Sequence, residues 1–204
     1  MMQIYEDIEQ GTDEWRKVRS GIPTASEFAC LIMKGRDGGE SKTRASYLRR
    51  LAAEVVTGEP LESFTNGAME RGKVMEAEAR DYYAMRRDLD PKRVGFIRSD
   101  NKGCSPDSLL GRDGMLEIKT QRGDLLIDTI FKGEFPSEHV AQTQGSLWVA
   151  EREWIDLLVY WPRMPVFIKR AYRDEAYIAR LRAAVDAFSA ELHETVEKIR
   201  AWGK

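Results

Sequence analysis

Asp107, Glu117 and Lys119 are the side chains in this sequence whose types and spacing best support chemistry. They lie in the run Ser105-Pro106-Asp107-Ser108-Leu109-Leu110-Gly111-Arg112-Asp113-Gly114-Met115-Leu116-Glu117-Ile118-Lys119. In a β-strand, residues i and i+2 share a face. Glu117 and Lys119 would therefore project together, while Leu116 and Ile118 turn into a core. Magnesium prefers oxygen ligands and takes one or two carboxylates, leaving positions for water and phosphate oxygens. Asp107 and Glu117 supply such carboxylates, and the Ile118 carbonyl offers a further oxygen. Lys119 is a cation placed to hold or polarise an attacking water, or to stabilise the charge of a phosphoryl transition state.

Positioning these groups falls first to a hairpin. The linker 109–114 ends in Asp113-Gly114, a strong hairpin turn signal that would return Asp107 beside Glu117. Upstream, Thr24-Ala25-Ser26-Glu27 has the form of a capping box, opening a helix to about Met33. A loop at 35–39 precedes a helix over 41–56, which Gly58-Glu59-Pro60 stops. A helical period continues from Asn66 to about Arg87. Strands are expected at roughly 93–98, 103–109 and 114–120, then a helix over 137–149. Strands at 154–161 and 166–172 form a hairpin pair, and a long amphipathic helix ends near Arg200. The order implies an α/β fold with a mixed β-sheet flanked by helices. One domain over 1–204 is expected: a helical part at about 11–90, a catalytic sheet at about 91–172 and a helix at about 173–200.

Composition narrows the class. At 204 residues, 42% apolar and 32% charged, the chain has the balance of a globular protein. No stretch approaches the roughly 18 apolar residues of a membrane span, so no membrane association is expected. The start, Met-Met-Gln-Ile-Tyr-Glu-Asp, lacks the basic and apolar regions of a signal peptide. Cys30 and Cys104 are too few for a four-cysteine metal site. A cytoplasmic location follows as the expectation, in the host cell if the chain is phage-encoded. The net charge of −2 gives no global attraction to nucleic acid. DNA contacts must come from local basic runs such as 16–19 and 42–50.

Other residues suit a terminal phosphate. Arg19 lies one helical turn from the apolar anchor Trp15 and can fork bidentately onto phosphate. Ser26 adds a hydroxyl near a helix start, where backbone N–H groups favour an anion.

The combination resembles a known family. The pattern Pro106-Asp107, Glu117-x-Lys119 is the PD-(D/E)xK nuclease signature. It is joined in order by the block from Glu14 to Ser26, by Gly72-Lys73-Val74-Met75-Glu76, by Cys104-Ser105-Pro106-Asp107 and by Ala141-Gln142-Thr143-Gln144. Together these resemble the phage lambda-type alkaline exonucleases, also called YqaJ-like viral recombinases, and imply a restriction-endonuclease-like core. The resemblance implies a 5′-phosphate pocket of Arg19, Ser26, Ser105 and Gln142, puts Gln142 near the metal as well, and places Glu76 in the active site as an upstream acid. The family has another acid before the Pro-Asp block, near a second metal, and Asp100 is the nearest candidate. Gln144 and Glu78 are the less suited neighbours of Gln142 and Glu76. His139 stands where tyrosine is common in the family; its imidazole could serve the same contact, but capping of its helix is the expectation.

What this implies is a magnesium-dependent 5′→3′ exonuclease with a two-metal site, for which manganese could substitute. It would digest one strand of linear double-stranded DNA from 5′-phosphate ends, leaving 3′ overhangs for recombination by strand annealing. The family further implies a ring-shaped homotrimer and a single-strand annealing protein as partner. The alternatives are a restriction- or repair-type endonuclease on the same fold, and a DNA-binding assembly module without nuclease activity. Arg19 separates exonuclease from endonuclease, because an end-anchoring pocket serves no internal cut.

Overall fold

A mixed sheet built around the Asp107 hairpin organises the molecule. The computed structural model describes residues 1–35, 38–39, 41–61 and 67–203, with the backbone alone at 67–71 and 73. The expected loop at 35–39 falls partly outside the described residues, and the expected helix start at Asn66 falls wholly outside them. The elements are β1 (Met2–Tyr5), α1 (Asp13–Arg19), α2 (Phe28–Ile32), α3 (Lys42–Thr57), α4 (Gly67–Arg87), β2 (Pro91–Lys92), β3 (Phe96–Ser99), β4 (Lys102–Cys104), β5 (Ser108–Leu110), β6 (Gly114–Thr120), α5 (Gly123–Lys132), α6 (Val140–Ala150), β7 (Trp154–Tyr160), β8 (Phe167–Tyr172) and α7 (Glu175–Arg200).

Strands run in the order β2-β5-β6-β7-β8 in the larger sheet and β1-β3-β4 in the smaller one. The β6–β7 pair is parallel and the other pairs are antiparallel, so the sheet is mixed as expected. The expected strand over 103–109 is two strands in two sheets. Ser105-Pro106-Asp107 carries the chain from β4 to β5; proline has no N–H for a ladder and favours such a break.

The alternation along β6 sorts its side chains as expected. Leu116 and Ile118 join Leu110 and Leu158 beneath Ala79 and Tyr83 of α4. Met115 instead joins the core of α2, α3, α6 and α7 around Phe28, Leu51, Leu147 and Phe188. Leu126 of α5 closes over Leu157 and Val159 of β7. Helices thus cover both faces, and among the described residues no helix is long and apolar enough to cross a membrane.

A buried ionic cluster fixes α4 to the sheet. Asp156 of β7 is fully buried. It accepts from Tyr83 Oη at 2.6 Å and from Arg170 Nε and Nη2 at 2.8 and 2.9 Å. Three hydrogen bonds to one carboxylate satisfy a charge that would otherwise be costly to bury.

Gly145 of α6 sets the spacing between two parts of the site. A Cβ there would lie 2.5 Å from Phe28 Cδ2 and 3.3 Å from Ala25 Cβ, both of them buried. Gly145→Ala gains roughly 1 kcal/mol of helix propensity but overpacks a ring that has nowhere to go. A net loss of about 1–2 kcal/mol is expected in chemical unfolding. A variant as stable as the parent would show that the contact relaxes freely.

Candidate active site and phosphate pocket

The hairpin places the first carboxylate. Ser108 pairs with Leu116 and Leu110 with Gly114, and the Asp107 N–H donates to the Leu116 carbonyl at 3.1 Å. Asp107 therefore lies just before β5, beside the middle of β6, where its Oδ2 accepts from the Ile118 N–H at 2.5 Å. Glu117 is 3% exposed. Its Oε1 accepts from Gln142 Nε2 at 2.6 Å and lies 2.8 Å from Lys119 Nζ. Its Oε2 is buried with no hydrogen-bond partner among the described residues. A cleft of about 1000 Å³ opens beside them, lined by Trp15, Glu76, Arg80, Asp107, Ile118 and Thr120 among others.

Electrostatics give the centre its character. Burial pushes the Asp107 carboxyl well above the usual carboxylate range, and the charges of Glu117 and Glu76 push it further. Burial alone would lower Lys119, but Glu117, Asp107 and Glu76 hold it above its ordinary value. Lys119 is thus a protonated amine across the working pH range. His139 is pulled below its ordinary value by burial and then by the charge of Lys119.

A divalent cation fits this donor set. An orphaned, buried carboxylate oxygen and an aspartate destabilised by neighbouring acids both mark an excess of negative charge. Among the described residues no group of three or more His, Cys, Asp or Glu side chains is gathered to hold a metal ion. Asp107 and Glu117 match the one or two carboxylates that magnesium takes, the rest being water and substrate oxygen.

Glu76 reaches the cleft from α4 and pairs with Arg80. Asp100 does not join it. The residue sits at the β3–β4 turn with φ 53°, exposed and paired to the amino terminus. It lines a separate cavity with Lys102, Trp148 and Arg182. The β3–β4 hairpin reverses the chain in the smaller sheet and carries Asp100 away from Asp107, so proximity in sequence misled.

Asp107→Asn follows as a test of the electrostatics. An acid whose folded pKa is raised favours its protonated form in the fold. Metal-free stability therefore falls as pH rises from the ordinary aspartate value of about 3.9 toward the raised one. The asparagine variant, free of metal, is expected to melt higher at pH 8 by roughly 2–4 °C, or about 1 kcal/mol. The gain should vanish toward pH 4, and saturating magnesium should stabilise only the parent. Equal melting temperatures at pH 8 would contradict the crowding of acids.

The second cluster gathers three of the expected phosphate ligands. Arg19 ends α1 with its guanidinium 4.0 Å from the Trp15 ring centroid. Its Nη2 donates to Thr24 Oγ1 at 3.3 Å, and Thr24 Oγ1 is 3.3 Å from Ser26 Oγ. Trp15 Nε1 donates to Ser105 Oγ at 3.1 Å and to the Gly95 carbonyl at 3.0 Å. Arg19, Ser26 and Ser105 are thereby linked through Trp15 and Thr24. Burial pulls Arg19 below its ordinary value, and no carboxylate pairs with it among the described residues. Gln142, expected near both the metal and the phosphate, bonds Glu117 of the acidic centre.

The capping box at Thr24 does not form. The Thr24 hydroxyl is engaged by Arg19 rather than by the helix, and its N–H donates to Tyr47 Oη at 3.0 Å. A 3-10 turn at Ala25–Glu27 leads into α2. His139 likewise gives α6 no side-chain cap. Gln144 bonds backbone, its Nε2 to the Tyr172 carbonyl and its Oε1 to the Asp174 N–H, both at 2.8 Å. Glu78 accepts from Tyr160 Oη at 3.0 Å on the surface. The roles of Thr24 and Arg80 carried no sequence signal beyond Arg80 lying four residues after Glu76.

Comparison with known proteins follows the same lines. A family model for the YqaJ-like viral recombinase domain matches residues 14–153. The crystal structure of an alkaline exonuclease, LHK-Exo, from Laribacter hongkongensis is 33% identical, with a TM-score of 0.83 over 93% of this chain and 96% of that one. The same enzyme in complex with dAMP gives the same values. A phage related exonuclease from Haemophilus somnus 129PT, 14% identical, shares the fold with a TM-score of 0.66 over 90% of this chain and 99% of that one. No curated protein matches by sequence.

Proposed function

This chain belongs to the YqaJ-like viral recombinase domain family, and from that premise we propose that it is a magnesium-dependent 5′→3′ exonuclease acting on the ends of linear duplex DNA. Its likeness to alkaline exonucleases makes it a deoxyribonuclease of that fold. The finer reading assigns it digestion of the 5′-ended strand, leaving 3′ single-stranded overhangs for recombination by strand annealing. One observation carries it: a half-buried arginine with no carboxylate partner among the described residues, stacked on Trp15, whose indole N–H donates to Ser105, two residues from Asp107.

Each residue then has a task. Asp107 and Glu117 would hold the divalent cation, magnesium or manganese in its place, with the Ile118 carbonyl as a further oxygen and Glu76 as a further acid. Bound there, the cation supplies Lewis acidity to the attacking water and neutralises the departing 3′ oxygen. Gln142 holds Glu117 through Oε1, leaving the unpartnered Oε2 available as a ligand. Lys119, protonated and braced on Glu117, holds the water and stabilises negative charge on the phosphoryl oxygens. Arg19, with Ser26 and Ser105, receives the terminal 5′ phosphate and so registers the strand. Such registration gives direction and release one nucleotide at a time. A ring-shaped homotrimer around the duplex and a single-strand annealing protein as partner are proposals that the family membership supports.

Incubation with linear and covalently closed circular duplex, with magnesium or with chelator, tests the reading. The linear form should be degraded in magnesium alone and the circle should survive. A cut circle would establish an endonuclease instead.

A further inference from the structure

Arg80 lies behind the acidic centre and is 8% exposed. Its guanidinium makes an unusual set of contacts for a helical arginine. Nε donates to Ser108 Oγ at 2.9 Å. Nη2 donates to the Asp107 carbonyl at 3.5 Å and to Glu76 Oε1. Ser108 is fully buried, and its hydroxyl donates to the same Asp107 carbonyl at 2.6 Å. One planar group thus ties the acid of α4 to the backbone that carries Asp107, just before β5. An exposed i,i+4 ion pair contributes little. Here the arginine is buried, the glutamate half-buried, and the guanidinium is fixed at its far side, so it constrains both partners. Its donors meet a carboxylate, a hydroxyl and a carbonyl at once, which sets it apart from Arg19, whose side chain donates to Thr24 Oγ1.

We propose that Arg80 is a positioning residue for the metal-binding acids: anchored on Ser108 and the Asp107 carbonyl, it holds Glu76 and Asp107 in one arrangement, so that a divalent cation meets a preassembled site. The proposal rests on Asp107 and Glu117 being the cation's ligands. Geometry, not charge alone, is the point. A lysine keeps the charge but loses the fork that reaches three acceptors at once. Loss of groups that orient metal ligands typically costs 10–100-fold in metal affinity.

Calorimetric titration of magnesium, without DNA, into the wild type, Arg80→Lys, Ser108→Ala and Asp107→Ala is the test. Arg80→Lys is expected to weaken magnesium binding by about 10-fold or more, and Ser108→Ala by about 3-fold. In parallel assays, kcat of Arg80→Lys should recover as magnesium is raised, while KM for the DNA end stays at the wild-type value. Wild-type or tighter binding in folded Arg80→Lys and Ser108→Ala, with binding lost in Asp107→Ala, would overturn the positioning role alone. Wild-type binding in Asp107→Ala would overturn the metal site and this proposal with it. Should Arg80→Lys lose its cooperative thermal transition, Ser108→Ala decides.

Discussion

A Lys119→Ala variant is expected to hydrolyse DNA at least about 10³-fold more slowly than the parent under single-turnover conditions, with saturating magnesium. Lys119 Nζ is braced 2.8 Å from Glu117 Oε1, and the surrounding acids keep it protonated. It therefore acts as a fixed cation and not as a base at working pH. One preorganised electrostatic group of this kind is worth roughly 10²–10³ in kcat, and here it also orients the nucleophile. Magnesium affinity should be equal or greater, since a positive charge leaves the neighbourhood of the site. KM for the DNA end should not move. Near-parental cleavage by Lys119→Ala would remove the lysine from the mechanism.

The second large effect concerns ends. Arg19→Ala should slow digestion of 5′-phosphorylated duplex by roughly 10–100-fold, the worth of a charge-assisted, partly buried contact of about 1.5–3 kcal/mol. Digestion of 5′-hydroxyl ends should change little, so the rate ratio between the two ends collapses toward one. Arg19→Lys should restore only part of the preference, because lysine lacks the fork and the stacking on Trp15. Binding to long duplex, which depends on many phosphates, should be nearly unchanged. A variant that keeps the full preference for phosphorylated ends would place the phosphate elsewhere.

Much of the centre was legible because its signals are local. Period-two alternation put Glu117 and Lys119 on one face of β6 and Leu116 and Ile118 on the other, and the Asp113-Gly114 signal marked the return of the hairpin. Long-range partners were not legible. Gln142 against Glu117 joins α6 to β6, and Arg80 against Ser108 joins α4 to β5. Neither contact has a sequence period. Asp100 was misplaced because distance along the chain says nothing of a hairpin reversing into another sheet. α5 escaped for a different reason. Leu126, Ile127, Ile130 and Phe131 do recur at helical spacing, but the helix is only ten residues long and opens at Gly123 with no side-chain cap. β1 and β2 are short, and β2 begins on a proline.

The central claim is strand-selective digestion from a 5′ end, and one time course addresses it directly. Linear duplex with both ends 5′-phosphorylated, and with each strand separately labelled at its 3′ end, is incubated with enzyme and magnesium. The labelled products are then resolved by length. The expected result is progressive shortening of each strand from its 5′ side, with every 3′ label retained on a long single-stranded remainder until the end. Early release of the 3′ labels as mononucleotides would contradict it.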